Sequence, residues 1–167
     1  MQYLLSFVLI WSLLGNLLAL AFSSAGPCFY AFFVEGDNPY EPLMAYLREV
    51  DELYMNWSLL AQDYLWQNYT ANVVATAGGI AAAPSLHIGI AVLQALMAWQ
   101  VAPRLGRILA VYAMIIFIGS IHLGWHYAVD GYMAIVLAIL IWLGVGRLLD
   151  HHPLFGRTES SDAAESV

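Results

Sequence analysis

The chain has 167 residues, of which 62% are hydrophobic and only 10% charged, far below the quarter or so usual for a soluble domain. Its formal net charge is −7, with five basic residues, all arginine, which excludes a basic nucleic-acid-binding surface. Cys28 is the only cysteine, so neither an intrachain disulfide nor a cysteine-based metal site is available.

Residues 3–22 form an apolar run about long enough to span the hydrocarbon core, which needs roughly 20 residues. A secretory signal peptide competes, with Ser23-Ser24-Ala25-Gly26 as a small-residue cleavage region. No basic residue precedes the run, however, and it is long for such a leader, so a retained helix ended by Gly26-Pro27 is expected.

Residues 28–84 are amphipathic to hydrophilic and carry seven acids against one base, Arg48. Asp37-Asn38-Pro39 signals a turn. From Glu41 to about Gln67, apolar residues including Leu43, Met44, Leu47, Val50, Leu53, Tyr54 and Trp57 recur at spacings of three and four, which predicts one or two amphipathic helices. Their Tyr and Trp content suits a membrane interface or the mouths of the spans. Asn56-Trp57-Ser58 and Asn68-Tyr69-Thr70 match the glycosylation pattern, which is short enough to recur by chance.

Three more spans are expected at 86–102, 108–125 and about 129–146, joined by short loops, with a polar disordered tail over 148–167. Arg104 and Arg107 lie between the first two of these spans, and Arg147 and Arg157 follow the third. The positive-inside rule places both regions in the cytoplasm. The opposite face then carries the acidic 28–84 section, the start of the 86–102 span and the segment Gly119–Gly131. The expected fold is thus an all-α integral membrane bundle of about four transmembrane helices plus interfacial helices.

Two stretches on that outer face carry ionisable groups at the ends of apolar runs, where they are costly and so mark function. The first is Ala83-Pro84-Ser85-Leu86-His87. Pro suits a first helical turn, whose free N–H groups bind anions. Ser85 adds a hydroxyl donor and His87 a proton donor or acceptor; alternatively Ser85 only caps the helix and His87 sits at the interface. The second is Gly119–Gly131, with His122, His126 and Asp130 four residues apart in turn. On a helix, His126 and Asp130 share a face. A carboxylate on one ring nitrogen would make the other a better nucleophile; a satisfied structural pair is the other reading. One crossing inward and one back, at about 1.5 Å per residue, returns His126 to the depth of His87.

Pro-Ser-Leu-His (84–87) at the start of one span, with Trp-His-Tyr (125–127) and Asp130-Gly131 near the start of a later one, resembles the type 2 phosphatidic acid phosphatase superfamily, and within it the branch containing the inositol phosphorylceramide synthases. Ser23-Ser24-Ala25-Gly26-Pro27 is similar to that branch as well. The resemblance covers roughly residues 23–146. It implies a lipid phosphatase or phosphotransferase within a six-helix bundle, of which this sequence would be N-terminally truncated by two helices, with 1–147 as one membrane domain.

The resemblance further implies His126 as the nucleophile that becomes a phosphohistidine, Asp130 orienting and stabilising it, and His87 as the acid and base. Ser85 and the backbone around Leu86 would hold phosphate oxygens. No cofactor or metal is implied. The partners implied are the membrane and a lipid phosphate at the outer leaflet, expected at the plasma membrane; self-association into a homo-oligomer is compatible with this. The family's lysine-containing first motif is absent, and Ser120 stands where its third motif commonly has Arg. That leaves Arg48 as the one cation on the outer face, a candidate to fold over the site. Ser120 and His122 are candidates at the pocket rim. The rival from another class is a non-catalytic membrane protein, either an inactive relative or a helix bundle in which His122, His126, Asp130 and His87 hold a metal. His151-His152 read as solvated, Trp125 and Tyr127 as interface anchors, and Gly78-Gly79 as a flexible approach to Ser85.

Overall fold

A computed structural model describes residues 1–72 and 80–151, and among them no strand occurs. Gly78-Gly79, His152 and Arg157 lie outside the described residues. The first apolar run is one helical rod: α1 (Gln2–Ser12), a π-helical turn (Leu13–Leu18) and α2 (Ala19–Phe22). The rod stops at Ser23, which takes the left-handed conformation, and therefore before Gly26-Pro27. A 3-10 turn (Pro27–Phe29) and the short α3 (Tyr30–Phe33) follow.

The amphipathic stretch resolves into two helices, α4 (Glu41–Leu53) and α5 (Trp57–Thr70). Asn38 builds the turn into α4, its side-chain oxygen accepting from Tyr40 N–H at 3.0 Å. Asn56 caps α5 by accepting from Ser58 N–H at 3.0 Å, the usual task of an Asn before a helix. That is what the first of the two glycosylation-like triplets does in the fold.

The remaining chain is α6 (Leu86–Val101), α7 (Pro103–His122) and α8 (Ala128–His151). A single extended residue, Ala102, separates α6 from α7, and Pro103 opens α7. The third span therefore begins five residues earlier than the hydropathy pattern placed it. Arg104 and Arg107 belong to its first turns instead of a loop, because Pro pre-sets the dihedral of a first helical position. α8 likewise runs past 147 to His151, so the tail expected from Leu148 starts as helix. Three segments, Gln2–Phe33, Pro103–His122 and Ala128–His151, are long and apolar enough to cross a membrane. α6, at 16 residues, is shorter; it rises about 24 Å.

The core is where the rod, α6 and α8 meet: Ile10 and Leu14, Ile88 and Leu93, Ala134, Ala138 and Trp142. α7 packs mainly along α6. Gly131, on α8, lies against the ring of Phe117 and leaves no room there for a Cβ. Away from these contacts the helices expose Leu and Ile freely, as at Val111, Ile115 and Ile118 on α7. Water would penalise such surface, whereas hydrocarbon does not.

Candidate functional site

The site is built on the turn between α7 and α8. α7 ends in a Schellman motif. Gly124 adopts a positive φ of 73°, Trp125 N–H donates to Ser120 O at 3.0 Å, and Gly124 N–H donates to Ile121 O at 3.0 Å. α8 begins with Tyr127 N–H donating to the Asp130 carboxylate at 2.9 Å, the reciprocal half of a capping box. His126 lies between these two devices, outside both helices, and its own N–H donates to Ser120 O at 3.3 Å. Its backbone is thus fixed from either side.

The turn is also clamped from the section that precedes α6. Cys28 N–H donates to Gly124 O at 2.9 Å, and Gln62 on α5 donates to Leu123 O at 2.8 Å. Trp125 Nε1–H donates to Ser58 Oγ at 2.6 Å. The Tyr127 ring meets Tyr40 edge-on, with centroids 5.5 Å apart. Met44 of α4 packs on Gly124. Gly26 lies so tightly on the Trp125 carbonyl that any Cβ there would collide with it. Trp125 and Tyr127, expected as interface anchors, are in contact with protein here, both partly buried.

The two chemistry-bearing stretches meet. Ser85 is fully buried, Asp130 is 3% exposed and His126 9%. Ser85 Oγ lies 3.1 Å from His126 Nε2, and Ser85 N–H donates to Asp130 O at 3.4 Å. His126 Nδ1 lies 2.7 Å from the carbonyl of Ala82. A carbonyl can only accept, so Nδ1 carries the proton. Nε2 then holds the lone pair in the neutral ring, and the Ser85 hydroxyl donates to it. Ser85 therefore serves His126 and does not cap its own helix.

Asp130 differs from the sequence expectation. Its Oδ2 is 3.9 Å from His126 Nδ1, an ion-pair distance but not a hydrogen bond. The reason is local. His126 precedes the helix, so the pair is not stacked one turn apart as on a helix face, and the carboxylate is held by Tyr127 N–H. The acceptor for Nδ1–H is instead the backbone of Ala82. Burial lowers the proton affinity of His126 below the ordinary histidine range. The Ala82 bond and Asp130 act against that shift, and the charge of nearby His87 reinforces it. The ring is therefore neutral at pH 7.

His87 occupies the second position of α6, with an exposed side chain. Leu86 opens that helix, and its first-turn N–H groups have no carbonyl a turn earlier to bond. Arg48 is engaged with Glu41 at 2.6 Å in an exposed pair. His122 ends α7 with an exposed ring that meets Tyr46 edge-on at 6.0 Å. Ser120 turns its hydroxyl back to Phe117 O at 2.8 Å and contributes to the site through its carbonyl. The metal set imagined from His122, His126, Asp130 and His87 is not assembled: among the described residues, no group of three or more His, Cys, Asp or Glu is placed to share an ion.

Sequence reasoning missed Ala82 and Ser24. Ser24 O accepts from Ala82 N–H at 2.7 Å, and Ser24 Oγ accepts from Ala83 N–H at 3.0 Å. A backbone carbonyl leaves no mark in a sequence; the clue to Ser24 was its small-residue run, followed by Pro.

No curated protein and no solved structure matches the chain. The PAP2 superfamily, an all-helical membrane family of lipid-phosphatase type, matches residues 1–144. With a match over most of its length, and two motif stretches joined at a buried Ser–His pair, the chain belongs to the PAP2 superfamily.

Proposed function

We propose that this protein transfers the phosphoryl group of a lipid phosphate or phosphodiester through a covalent phosphohistidine at His126, on the outer face of the membrane. The observation that carries the reading is the state of the His126 ring. It is neutral, its Nδ1–H is fixed on Ala82 O, and its Nε2 lone pair points to Ser85 at the head of α6.

In this scheme a phosphate group displaces the Ser85 hydroxyl from Nε2 and takes the hydroxyl's hydrogen bond on one of its oxygens. The free N–H groups at the start of α6, around Leu86, hold the others. Nε2 attacks phosphorus, the bond to the lipid oxygen breaks, and His87 gives its proton to that leaving oxygen. The imidazole ring now carries positive charge, and the Asp130 carboxylate 3.9 Å away offsets it. His87, now neutral, takes a proton from the incoming hydroxyl. The acceptor oxygen bonds phosphorus, the P–N bond breaks, and Nε2 recovers its lone pair.

Water as acceptor gives a phosphatase; a lipid or inositol hydroxyl gives a transferase. The Pro-Ser-Leu-His and Ser-Ala-Gly-Pro segments favour the inositol phosphorylceramide synthase-like branch, hence transfer. The basic residues near both cytoplasmic turns favour the outer face.

Phosphate release from a short-chain phosphatidic acid in detergent, with and without an inositol or ceramide acceptor, tests the reading. Release or transfer by the native chain that is abolished in His126→Gln is expected. A folded native chain that is silent with every acceptor would leave a non-catalytic member of the family.

A further inference from the structure

We infer that Ser24 is a positioning residue for His126, acting through the Ala82 carbonyl. The inference takes its catalytic consequence from the phosphohistidine reading; its geometric content stands apart from it.

Three bonds form a relay. Ser24 O accepts from Ala82 N–H at 2.7 Å, Ser24 Oγ accepts from Ala83 N–H at 3.0 Å, and Ala82 O accepts from His126 Nδ1–H at 2.7 Å. Ala82 and Ala83 lie in the non-helical stretch leading into α6, where no helical ladder holds their peptide groups. Their two N–H groups are fixed instead by one residue at the mouth of the first span. The peptide plane that carries the Ala82 carbonyl is thereby set, and with it the tautomer and direction of the imidazole ring.

Ser24 itself has little freedom. Two residues on, Gly26 is wedged against the Trp125 carbonyl, and Cys28 N–H bonds Gly124 O. The Ser23–Cys28 segment thus touches both sides of His126: its support at Ala82 and its own turn at Gly124-Trp125. The side chain is also suited to the task. A serine hydroxyl can accept from the backbone N–H of a distant segment, as from Ala83 here, where alanine cannot. The charged groups that face His126 are Asp130 from α8 and His87 from α6, and neither contacts Ser24 in this relay.

The test uses the full chain in detergent with ¹⁵N-labelled histidine rings. Native His126 should give the signature of the Nδ1–H tautomer. Ser24→Ala should move it toward a mixture of tautomers and shift its titration midpoint to lower pH, since a carbonyl bond at Nδ1 favours the cation. Ser24→Thr, which keeps the hydroxyl, should restore both. Where the native chain turns over, Ser24→Ala should lower kcat about fivefold with KM unchanged, the effect of losing one hydrogen bond in the transition state.

Ring signals in Ser24→Ala identical to the native ones would overturn the inference, whatever the activity. Altered ring signals with no phosphate release by the native chain would sustain the positioning role and count only against the proposed chemistry. Should Ser24→Ala fail to fold, Ser24→Cys keeps the volume with a weaker acceptor, and unchanged ring signals there would be equally contrary.

Discussion

The two histidines of the site sit in opposite surroundings. His126 is buried, both ring nitrogens have partners, and its backbone lies between a Schellman stop and a capping box. His87, on the first turn of α6, has an exposed side chain, near enough to His126 for its charge to act on that ring. The difference suits the two roles proposed for them. A nucleophile must keep one lone pair aimed at phosphorus, and each ångström of misplacement is costly. A residue that first gives a proton to one oxygen and later takes one from another gains from a ring that can turn.

The largest expected effect removes the fixed partner. His126→Gln should lower turnover on the order of 10⁴-fold or more, since in the proposed scheme it is the His126 Nε2 that bonds phosphorus. Removal of the exposed partner should cost less, about 10²- to 10⁴-fold for His87→Ala with an alkyl leaving group. That loss should shrink sharply with a nitrophenyl phosphodiester, whose leaving oxygen needs no proton. An equal loss with both substrates would take His87 out of the acid role.

Asp130 separates charge from structure. Asp130→Asn keeps an oxygen for Tyr127 N–H but removes the negative charge 3.9 Å from Nδ1. A fall in kcat of about 10- to 100-fold with little change in melting temperature is expected. Asp130→Ala should additionally lose the cap and about 1 kcal/mol of stability. If Asn and native rates agree, Asp130 is a helix cap only.

The pH dependence distinguishes the buried ring from a solvated one. The unfolded ring titrates near 6.5, and burial lowers the value in the folded protein. Between the two values the unfolded chain binds more protons. Stability from this group is therefore fully present above 6.5 and falls as pH drops through 6.5 toward the lower folded value. Thermal melts at pH 7.5 and 5 should show a larger loss for the native chain than for His126→Gln, and kcat/KM should show an acid limb below 6.5. The smallest effect concerns the clamp. Trp125→Phe loses the bond to Ser58 and should cost about 1 kcal/mol, with a modest change in kcat.

The same contrast explains what could be read from the sequence. The length of the apolar runs placed the long helices, since hydrocarbon accepts apolar side chains all round, and spacings of three and four placed the α4–α5 pair. The meeting of Ser85 with His126 could be anticipated from the lengths of α6 and α7, since one crossing in and one crossing back returns the chain to its starting depth. Helix ends were harder. Pro103 started α7 early, and Gly124 stopped it by a backbone conformation that hydropathy does not register. The partner of Nδ1 was hidden for a further reason. Asp130 has the right residue type at the right spacing, but the helix begins at Ala128, two residues too late to stack the pair, and the carbonyl of Ala82 accepts the hydrogen bond from Nδ1–H instead. Arg48, expected to fold over the site, pairs instead with Glu41 seven residues earlier.

The most direct test of the central claim is to trap the intermediate. Native protein mixed with a ³²P-labelled lipid phosphate and quenched within one turnover should carry acid-labile, alkali-stable label. That label should map to the peptide containing His126 and be absent from His126→Gln. No label in a turning-over native enzyme, or label that survives in His126→Gln, would contradict covalent catalysis at this residue.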